Sequence, residues 1–421
     1  MILILALALA AHVALWFGFL LWKFRVHTGS TPRLPQPKAP PESLPRLAAF
    51  VPARNEEAAI EAAVRSLLDQ DYPNLTVVVA NDNSTDRTGE ILARIARDYP
   101  ADRLTVIEPP EPPPGWMGKC HALWNAVKGA PADAELFLFC DADVIHNPHT
   151  LRRAVELMRE RDAGMVALLP RLDNVSFWEH VVMPTTMHLG GVALDPRKVM
   201  DPDEPDILGI GAFSIVKRSV YESWGGHEAI KGEVVDDVAM AMMTKVHRAK
   251  LVLAHGWDAV HLRMYDGLNS IVRGFEKNSH ITVGGGFARA IYVSFVIQFL
   301  HWIPLLVAII AAATGHWGMA GAGVLVHLVT GLEVVRRMRK AMKVNALYLM
   351  LFHPLAMVVN AVILIRSSYY GNVKGVVNWR GRQLAKPQQR VRMFGRLEKV
   401  QHVETAPDPD SATPPQEAKA S

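Results

Sequence analysis

Residues 134–144, AELFLFCDADV, constrain the fold of this chain more than any other stretch. A short apolar run there ends abruptly at two carboxylates, Asp141 and Asp143, with one alanine between them. Such a run is typical of a strand buried on both faces inside a parallel sheet. Ligands bind at the carboxyl ends of these strands, so the two acids predict a site for a divalent cation that also contacts a diphosphate. The alternative is an ordinary Asp-rich turn after a strand.

Strand and helix patterns alternate before and after this stretch. Further strands are predicted by apolar runs at residues 47–51, 75–80, 104–107, 165–169 and 212–216. Between the strands, residues 57–70 and 148–162 have the apolar spacing of amphipathic helices. Ser84, Thr85 and Asp86, in the turn after residues 75–80, are candidate helix caps. The alternation predicts an α/β fold with a parallel, doubly wound sheet.

Two helix starts carry charged residues suited to binding a ligand. Gly115 and Gly118 precede a helix that begins with Lys119, an arrangement that suits an anion held by backbone amides and an ammonium group. Asp236 and Asp237 stand at the start of another helix, where the helix dipole stabilises carboxylates. The alternatives are an ordinary loop and helix in the first case and simple helix capping in the second.

Apolar residues are concentrated toward the two ends of the chain. The apolar blocks cover residues 1–22, 288–314, 317–332 and 345–365. Lys23 and Arg25 follow the first block at once, so the positive-inside rule predicts an uncleaved anchor before a cytoplasmic domain, with a cleaved signal peptide as the alternative. The net charge is only +4, and no continuous basic stripe with interleaved aromatics is present, which argues against nucleic-acid binding. The two cysteines, Cys120 and Cys140, are expected to be reduced thiols.

The last apolar block is flanked by basic residues on both sides. A full crossing there would place the basic segment around Trp379, Arg380 and Arg382 outside the cell. We expect instead an interfacial or re-entrant helix pair broken at Pro354, which keeps that segment on the cytoplasmic side. The predicted regions are a membrane anchor at 1–25, a proline-rich linker at 26–46, an α/β domain at 47–280, membrane helices at 287–366, a basic cytoplasmic segment at 367–403 and a disordered tail at 404–421.

Five motifs occur in the order and spacing of a known family. They are VPARNEE, NDNSTDRT, WMGKCHAL, the pair Asp141 and Asp143, and the run Val235, Asp236, Asp237. In this order they resemble the family 2 glycosyltransferases of GT-A fold, over residues 47–278. The later segment HLRMYDGLNSIVRGFEKN resembles the membrane-bound bacterial members that glycosylate isoprenoid lipids such as carotenoids or hopanoids. The resemblance implies a GT-A, Rossmann-like domain with a mainly parallel sheet, plus N-terminal and C-terminal transmembrane helices.

The resemblance also implies roles for individual residues. Donor binding is implied for Pro52, Ala53, Glu56, Asp82 and Asp141, and the charge that develops on a leaving diphosphate adds Lys119 and Arg263 to the expected donor-binding residues. Within that set, Asp82 would bind the nucleobase, and Asp141 would hold the ribose or support the metal. Asp143 would ligate Mg²⁺ or Mn²⁺, and Asp237 would be the catalytic base. Supporting contacts to donor or acceptor are implied for Asp236, Trp379, Arg380 and Arg382.

Two positions depart from the family pattern. The turn after the second strand has Asn81, Asp82 and Asn83 where relatives often have two acids and a glycine. Processive polysaccharide synthases carry a Gln-x-x-Arg-Trp motif, but this chain has only Arg263 followed by Met264 and a tyrosine. The second departure argues against processive synthesis.

The residues and the resemblance together predict an inverting, metal-dependent glycosyltransferase. A sugar would pass from a nucleotide-sugar donor, expected to be a UDP-sugar, to a hydroxyl or carboxyl of an isoprenoid or other membrane lipid. One base without a second carboxylate nucleophile implies a single displacement. The acceptor is expected at residues 171–205, whose pattern is irregular, and the enzyme in the inner membrane, multi-pass, with its catalytic domain cytoplasmic. A polysaccharide-type glycosyltransferase and a non-catalytic nucleotide-binding membrane protein remain as alternatives.

Overall fold

The computed structural model describes residues 1–27, 30–37, 43–277, 279, 286–374, 376–379 and 382–385. The strands are β1 (Leu47–Ala53), β2 (Leu75–Asn81), β3 (Leu104–Ile107), β4 (Leu136–Phe139), β5 (Ile145–His146), β6 (Met165–Leu169), β7 (Arg171–Leu172), β8 (Ser214–Lys217), β9 (Leu251–His255), β10 (Val260–Leu262), β11 (Val376–Trp379) and β12 (Arg382–Ala385). The helices are α1 (Ile2–His27), α2 (Ile60–Leu68), α3 (Thr88–Asp98), α4 (Gly118–Lys128), α5 (Thr150–Glu160), α6 (Phe177–Ala193), α7 (Pro196–Met200), α8 (Arg218–Ser223), α9 (Gly226–Ala229), α10 (Asp236–Val246), α11 (Gly267–Glu276), α12 (Phe287–Ala313), α13 (Trp317–Met338) and α14 (Ala346–Ser368). A π-helical turn, Tyr369–Lys374, continues α14.

Seven strands form the central sheet, in the order β3-β2-β1-β4-β8-β6-β9. β8 runs antiparallel to both of its neighbours, and the other neighbouring pairs are parallel. Leu47 of β1 pairs with Leu75 of β2 and with Leu136 of β4, so these three strands end at the same edge. The prediction of an α/β fold with a mainly parallel sheet is confirmed. The polar residues that follow these strands are therefore brought side by side.

The central strands are buried on both faces because helices cover both sides of the sheet. Alternate residues of β1 point to opposite sides. Ala49 and Val51 belong to the core that packs against α2, α3 and α5, whereas Ala48 and Phe50 belong to the core that packs against α4 and α10. On the second side, the Phe50 ring meets the Phe137 ring edge-on, with 5.2 Å between the centroids. The continuous apolar runs of the sequence thus correspond to strands with no solvent-exposed face.

Three long apolar helices, α12 to α14, follow the α/β domain. In the described part of the chain, Trp317–Met338 and Ala346–Lys374 are long and apolar enough to cross a membrane. A third candidate arises if the two halves of α12, Phe287–Phe299 and His301–Ala313, count as one span bent by 44°. The bend lies one turn before Pro304, where a proline disturbs helical hydrogen bonding. The apolar segment Ile2–Gly18 at the other end of the chain is shorter than these candidates.

Helix α14 runs through Pro354 without a break, so the prediction of a helix pair broken at that proline is wrong. A proline in a helix removes one backbone hydrogen bond, and packing against neighbouring helices offsets the loss. Here Pro354 is buried together with His353 and Ala356.

Contacts with the α/β domain hold both ends of α14. Before the helix, the Leu172 amide donates to the Ala341 carbonyl at 2.8 Å, and the Lys343 amide donates to the Leu172 carbonyl at 2.9 Å. Near its other end, Arg366 forms an ion pair with Glu276 at 3.0 Å. The apolar helices are therefore held against β7 and α11 of the α/β domain.

Candidate active site

The loops that follow β1 and β2 bind each other through reciprocal hydrogen bonds. The Asn55 amide donates to Ser84 Oγ at 3.0 Å, and the Thr85 amide donates to Asn55 Oδ1 at 2.8 Å. Asn55 adopts a left-handed backbone with φ of 54°. Ser84 and Thr85 therefore connect two loops. The prediction that they cap α3 is wrong. Asp86 does accept a hydrogen bond from the Thr88 amide at 3.0 Å, in the first turn of that helix.

These loops form one wall of a cleft, which is lined by Pro52, Ala53, Glu56 and Asp82. Asp82 is only 5% exposed, and its amide donates to the Ala53 carbonyl at 2.7 Å. The Arg54 guanidinium donates to the Asp82 carbonyl at 2.8 Å and lies 3.6 Å from the Asp82 carboxylate. The structure thus brings the four predicted residues of this wall together and fixes the Asp82 carboxylate against a cation.

A cluster of carboxylates surrounds Lys119 at the end of β4. The Lys119 ammonium lies 2.7 Å from Asp141 Oδ1 and 3.1 Å from Asp236 Oδ1. Asp141 follows β4, Lys119 lies in the first turn of α4, and Asp236 begins α10, so the fold joins three distant parts of the chain. The expectation that the Lys119 ammonium is open for an anion needs correction, because two carboxylates already bind it.

Two glycines allow Asp237 to approach this cluster. A Cβ at Gly209 would lie 2.1 Å from the Asp237 carbonyl carbon, so only a glycine fits against that peptide. A Cβ at Gly211 would lie 2.8 Å from Asp141 Oδ2 and 3.5 Å from Asp237 Oδ2. The carboxylates of Asp141 and Asp237 therefore both lie next to the Cα of Gly211. The Asp237 carboxylate also accepts a hydrogen bond from the Val238 amide at 2.9 Å.

Charge and burial set the protonation of this cluster. Burial lowers the pKa of Lys119, but the charges of Asp141, Asp236 and Asp237 outweigh it, so that pKa lies well above its ordinary value. Burial raises the pKa of Asp237, and the charge of Asp236 raises it further against the opposing effect of Lys119. Burial also acts to raise the pKa of Asp236, but the charge of Lys119 prevails and lowers it. Asp236 therefore stays ionised beside Lys119, whereas Asp237 is the carboxylate able to take up a proton near neutral pH.

The cleft is part of one cavity of about 1440 Å³. Asp82, Asp143 and Asp237, which end or follow separate elements, all line it. The sequence hypothesis required these three acids to share a cleft, and they do. The cavity continues between α12 and α14, where its apolar lining includes Val293, Ile297, Ile363 and Leu364.

Two lining residues were missed by the analysis of the sequence. Burial and the charge of Lys119 lower the pKa of Lys277 to about 8, although the charges of the aspartates oppose this shift. Burial and the charge of Asp143 raise the pKa of Tyr265. The Tyr265 ring packs directly on Gly274, where an added Cβ would lie 2.1 Å from the ring. Both residues belong to HLRMYDGLNSIVRGFEKN, the segment singled out by resemblance. That segment could have pointed to them, but nothing in it specified which side chains enter the cavity.

Arg263 does not lie in the cavity, which corrects its predicted role in donor binding. Its guanidinium donates to both carboxylate oxygens of Glu179, at 3.1 and 2.8 Å, and also to Asp266. The Glu179 side chain is 1% exposed, and its charge requires a partner at that depth. Arg263 therefore joins the start of α6 to the start of α11.

The basic segment near the C-terminus is described only in part. Trp379 pairs with Arg382 across the β11–β12 hairpin, and nothing further is described of their side chains. Arg380 lies outside the described residues. The predicted supporting contacts of these three residues stay predictions.

The oxygen ligands at the end of β4 suit a hard divalent cation. Among the described residues, no three His, Cys, Asp or Glu side chains are arranged to hold a metal ion by themselves. Mg²⁺ commonly needs only one or two carboxylates, because substrate phosphates and water complete its shell. Asp143, which lines the cavity beside Asp141, fits such a shared site.

Comparisons with known proteins identify what this chain is similar to. Residues 48–224 match the family described as Glycosyl transferase family 2. Over 341 residues the chain is 25% identical to the 4,4'-diaponeurosporenoate glycosyltransferase of Staphylococcus aureus, covering 80% of this chain and 88% of that enzyme. Among solved structures, a mannosyltransferase from Pyrobaculum calidifontis in complex with GDP-Man and Mn2+ has a TM-score of 0.48 and 21% identity, covering 88% of this chain and 99% of that one. S. aureus TarS 1-349 in complex with UDP-GlcNAc has a TM-score of 0.37 and 15% identity, covering 80% and 95%.

Proposed function

We propose that this glycosyltransferase transfers a sugar to a membrane lipid. Its residues 48–224 form a family 2 glycosyltransferase domain of GT-A-like α/β fold. The donor is a nucleotide sugar, expected to be a UDP-sugar, and the acceptor offers a hydroxyl or carboxyl at the end of an isoprenoid-type chain. One observation carries this proposal. The cavity lined by Asp82, Asp143 and Asp237 continues between the apolar helices α12 and α14.

The donor is proposed to bind where β1, β2 and β4 end. Pro52 and Glu56 line the cleft there, and Asp82 is held by Arg54 with its carboxylate at the cavity wall. Asp143, supported by Asp141, would hold Mg²⁺ or Mn²⁺ together with the diphosphate. The metal would supply positive charge for the leaving diphosphate oxygens.

Asp237 is proposed as the general base. It removes the proton from the acceptor hydroxyl as that oxygen attacks the anomeric carbon. Asp141 and Asp236 are less suited to this role, because Lys119 binds both. A single displacement follows, so the configuration at the anomeric carbon inverts. For a carboxyl acceptor, which is already ionised near neutral pH, the same residue would orient the acceptor through a shared proton.

The acceptor is proposed to lie along the apolar part of the cavity. Leu189 on α6, Ile297 on α12 and Ile363 on α14 line that part, and apolar chains gain free energy when such surfaces cover them. The S. aureus relative is named for a carotenoid acid, diaponeurosporenoate, and this chain is proposed to use an acceptor of related chemistry. The two candidate membrane helices support a membrane location, and the basic residues that follow the first apolar block favour an inner-membrane enzyme with its α/β domain in the cytoplasm.

The experiment that tests this proposal incubates membranes containing the full chain with radiolabelled UDP-glucose, UDP-N-acetylglucosamine and GDP-mannose. We expect one donor to label a lipid that extracts into organic solvent, and the label to require a divalent cation. Membranes containing the variant Asp143→Asn serve as the control for background enzymes and should show no labelled lipid. Label found only in water-soluble polymer, or equal label with the variant, would overturn the proposal.

A further inference from the structure

Acidic and basic side chains both line the cavity, and some of the basic ones, such as Lys119, lie among the acids. Its seven lining carboxylates come from residues that follow β1, β2 and β4 and from residues 233–237. Arg33, Arg339 and Lys340 line it from elsewhere, namely from the segment before β1 and the segment after α13. Two aromatic residues at and just after the end of β9, His255 and Trp257, line the same cavity. We call these five residues the basic pocket.

The position of β9 separates the basic pocket from the acid cluster. Three steps across the sheet, from β4 through β8 and β6, lead to β9. At the usual spacing of neighbouring strands, His255 lies about 14 Å from the end of β4. Because β9 runs in the same direction as β4, both sites open on the same edge of the sheet. A ligand group in the basic pocket therefore does not compete with a diphosphate beside Asp143.

The backbone holds one side of the basic pocket in place. Arg33 pairs with His255 as an isolated parallel bridge, and the His255 amide donates to the Pro32 carbonyl at 2.8 Å. The rings of His255 and Trp257 lie 4.0 Å apart with 33° between their planes. Arg33 thus stands beside an aromatic surface that also lines the cavity.

The other side of the basic pocket comes from the end of α13. Arg339 and Lys340 precede Ala341, whose carbonyl accepts a hydrogen bond from the Leu172 amide at 2.8 Å. Burial, with the charges of Arg33 and Lys340, lowers the pKa of His255 to about 4, which is consistent with two cations close to one ring. Among the described residues, no carboxylate lies within 4.0 Å of Arg33, Arg339 or Lys340. The pocket therefore holds positive charge that nearby acids do not neutralise.

This uncompensated charge lies where a bilayer would present its head groups. Helix α13 is a candidate membrane span, and it ends at Met338, directly before Arg339. Basic residues at the cytoplasmic end of a span meet anionic lipid head groups. From the basic pocket the same cavity continues to apolar residues of α12 and α14, which include Val293 and Leu364.

We propose that the basic pocket binds the phosphate or carboxylate head group of a membrane lipid, whose chains lie along the apolar lining of the cavity. The anion would bind Arg33, Arg339 and Lys340 and offset part of their charge, and Trp257 would cover the adjoining part of the head group. The lipid is either a bulk anionic phospholipid or an acidic lipid of the acceptor type. The proposal depends on the membrane location in the proposed function, but it does not depend on sugar transfer.

The test measures lipid binding directly, by native mass spectrometry of the full chain purified in a neutral detergent. One arm compares phosphatidylglycerol with phosphatidylcholine of the same acyl chains, and the other compares retinoic acid with retinol. The test variant is Arg33→Ala with Lys340→Ala. The matched control is Arg248→Ala with Lys374→Ala, which removes the same charge from residues that do not line the cavity. Thermal unfolding of each variant checks that the fold is kept.

In at least one arm we expect the anionic lipid to bind at least about tenfold more tightly than its partner. The test variant should lose about 30-fold in affinity for that lipid, since each cation near a head group contributes about a factor of five. The control variant should bind as the unchanged chain does. Selectivity for phosphatidylglycerol identifies a bulk lipid, and selectivity for retinoic acid identifies an acidic lipid of the acceptor type. Equal binding of anionic and neutral lipids in both arms, or equal losses in both variants, would overturn the proposal. Failure of sugar transfer with selective binding intact would count only against the proposed function.

Discussion

The substitution Asp237→Asn tests the assignment of the catalytic base. Asparagine keeps an oxygen at the position of Oδ1, which accepts a hydrogen bond from the Val238 amide at 2.9 Å, so the start of α10 should keep its geometry. What is lost is the ability to take up a proton. General-base catalysis contributes about 10² to 10⁴ in rate, which corresponds to about 3–5 kcal/mol of transition-state stabilisation. We expect turnover with a hydroxyl acceptor to fall by that factor.

Donor binding should respond differently to the same substitution. Asp237 adds a negative charge to a cluster in which Lys119 already binds Asp141 and Asp236. Removing one negative charge does not weaken the attraction for a diphosphate. Donor affinity, measured by titration calorimetry, should therefore stay within a few-fold of its original value or become tighter.

The matched control is Asp236→Asn, which removes the same charge from the neighbouring residue. Asp236 is 8% exposed and binds Lys119, so this variant should lose about 1–3 kcal/mol of stability, because one of the two ion pairs of Lys119 becomes a weaker contact with an amide while Asp141 still binds it. Its turnover should fall by less than about tenfold, because the base remains. Transfer of labelled sugar to lipid is measured for both variants at saturating donor. If Asp237→Asn retains more than about a tenth of the original turnover, or if both variants lose the same amount, the assignment of the base is wrong.

Four further predictions follow from the site. The rate with a hydroxyl acceptor should rise as the pH increases through about 6, because Asp237 is protonated and inactive as a base below that value. A rate that stays constant between about pH 5 and 8 would contradict this prediction. Gly209→Ala should lower stability by about 1–3 kcal/mol and abolish sugar transfer, because its Cβ would overlap the Asp237 peptide. The control Gly318→Ala, whose Cβ meets open space, should change neither stability nor transfer. Thermal unfolding and transfer assays measure both variants. Chelation with EDTA should abolish transfer and Mn²⁺ should restore it, but Mn²⁺ should not restore transfer in Asp143→Asn. Arg263→Ala should lower the unfolding temperature and leave the KM for the donor unchanged, because Arg263 pairs with Glu179, a buried carboxylate outside the cavity. A large rise in that KM would instead support a role of Arg263 in donor binding.

Much of the fold followed from local patterns. The strand at residues 165–169 was predicted with the bounds that the structure has, because a short apolar run between turns has few alternatives in an α/β chain. Helix boundaries were less accurate: α2 begins at Ile60 and not at residue 57. The residues before Ile60 bind the neighbouring loop, and that contact cannot be seen from helical spacing. Pro354 shows the same limit, since buried packing keeps α14 continuous where a local rule predicts a break.

The sequence likewise identified some residues of the candidate site correctly and misassigned one of them. Asp141, Asp143 and Asp237 were found because carboxylates after buried strands or at helix starts are visible in the order of residues, and Asp82 was found through the family resemblance. Arg263 was misassigned because the sequence shows a cation near the motifs but not which carboxylate it meets.

The sequence by itself determined the alternation of strands and helices, the order of the motifs and the chemical type of the acids. These are local properties, set by side-chain spacing and by the composition of each segment. Only the tertiary structure decided which charges meet: that Lys119 binds Asp141 and Asp236, that Arg263 turns away to Glu179, and that one cavity joins the acids to the apolar helices. Pairing between side chains on different strands and helices depends on how strands align and how helices pack. No single segment of the chain encodes that arrangement.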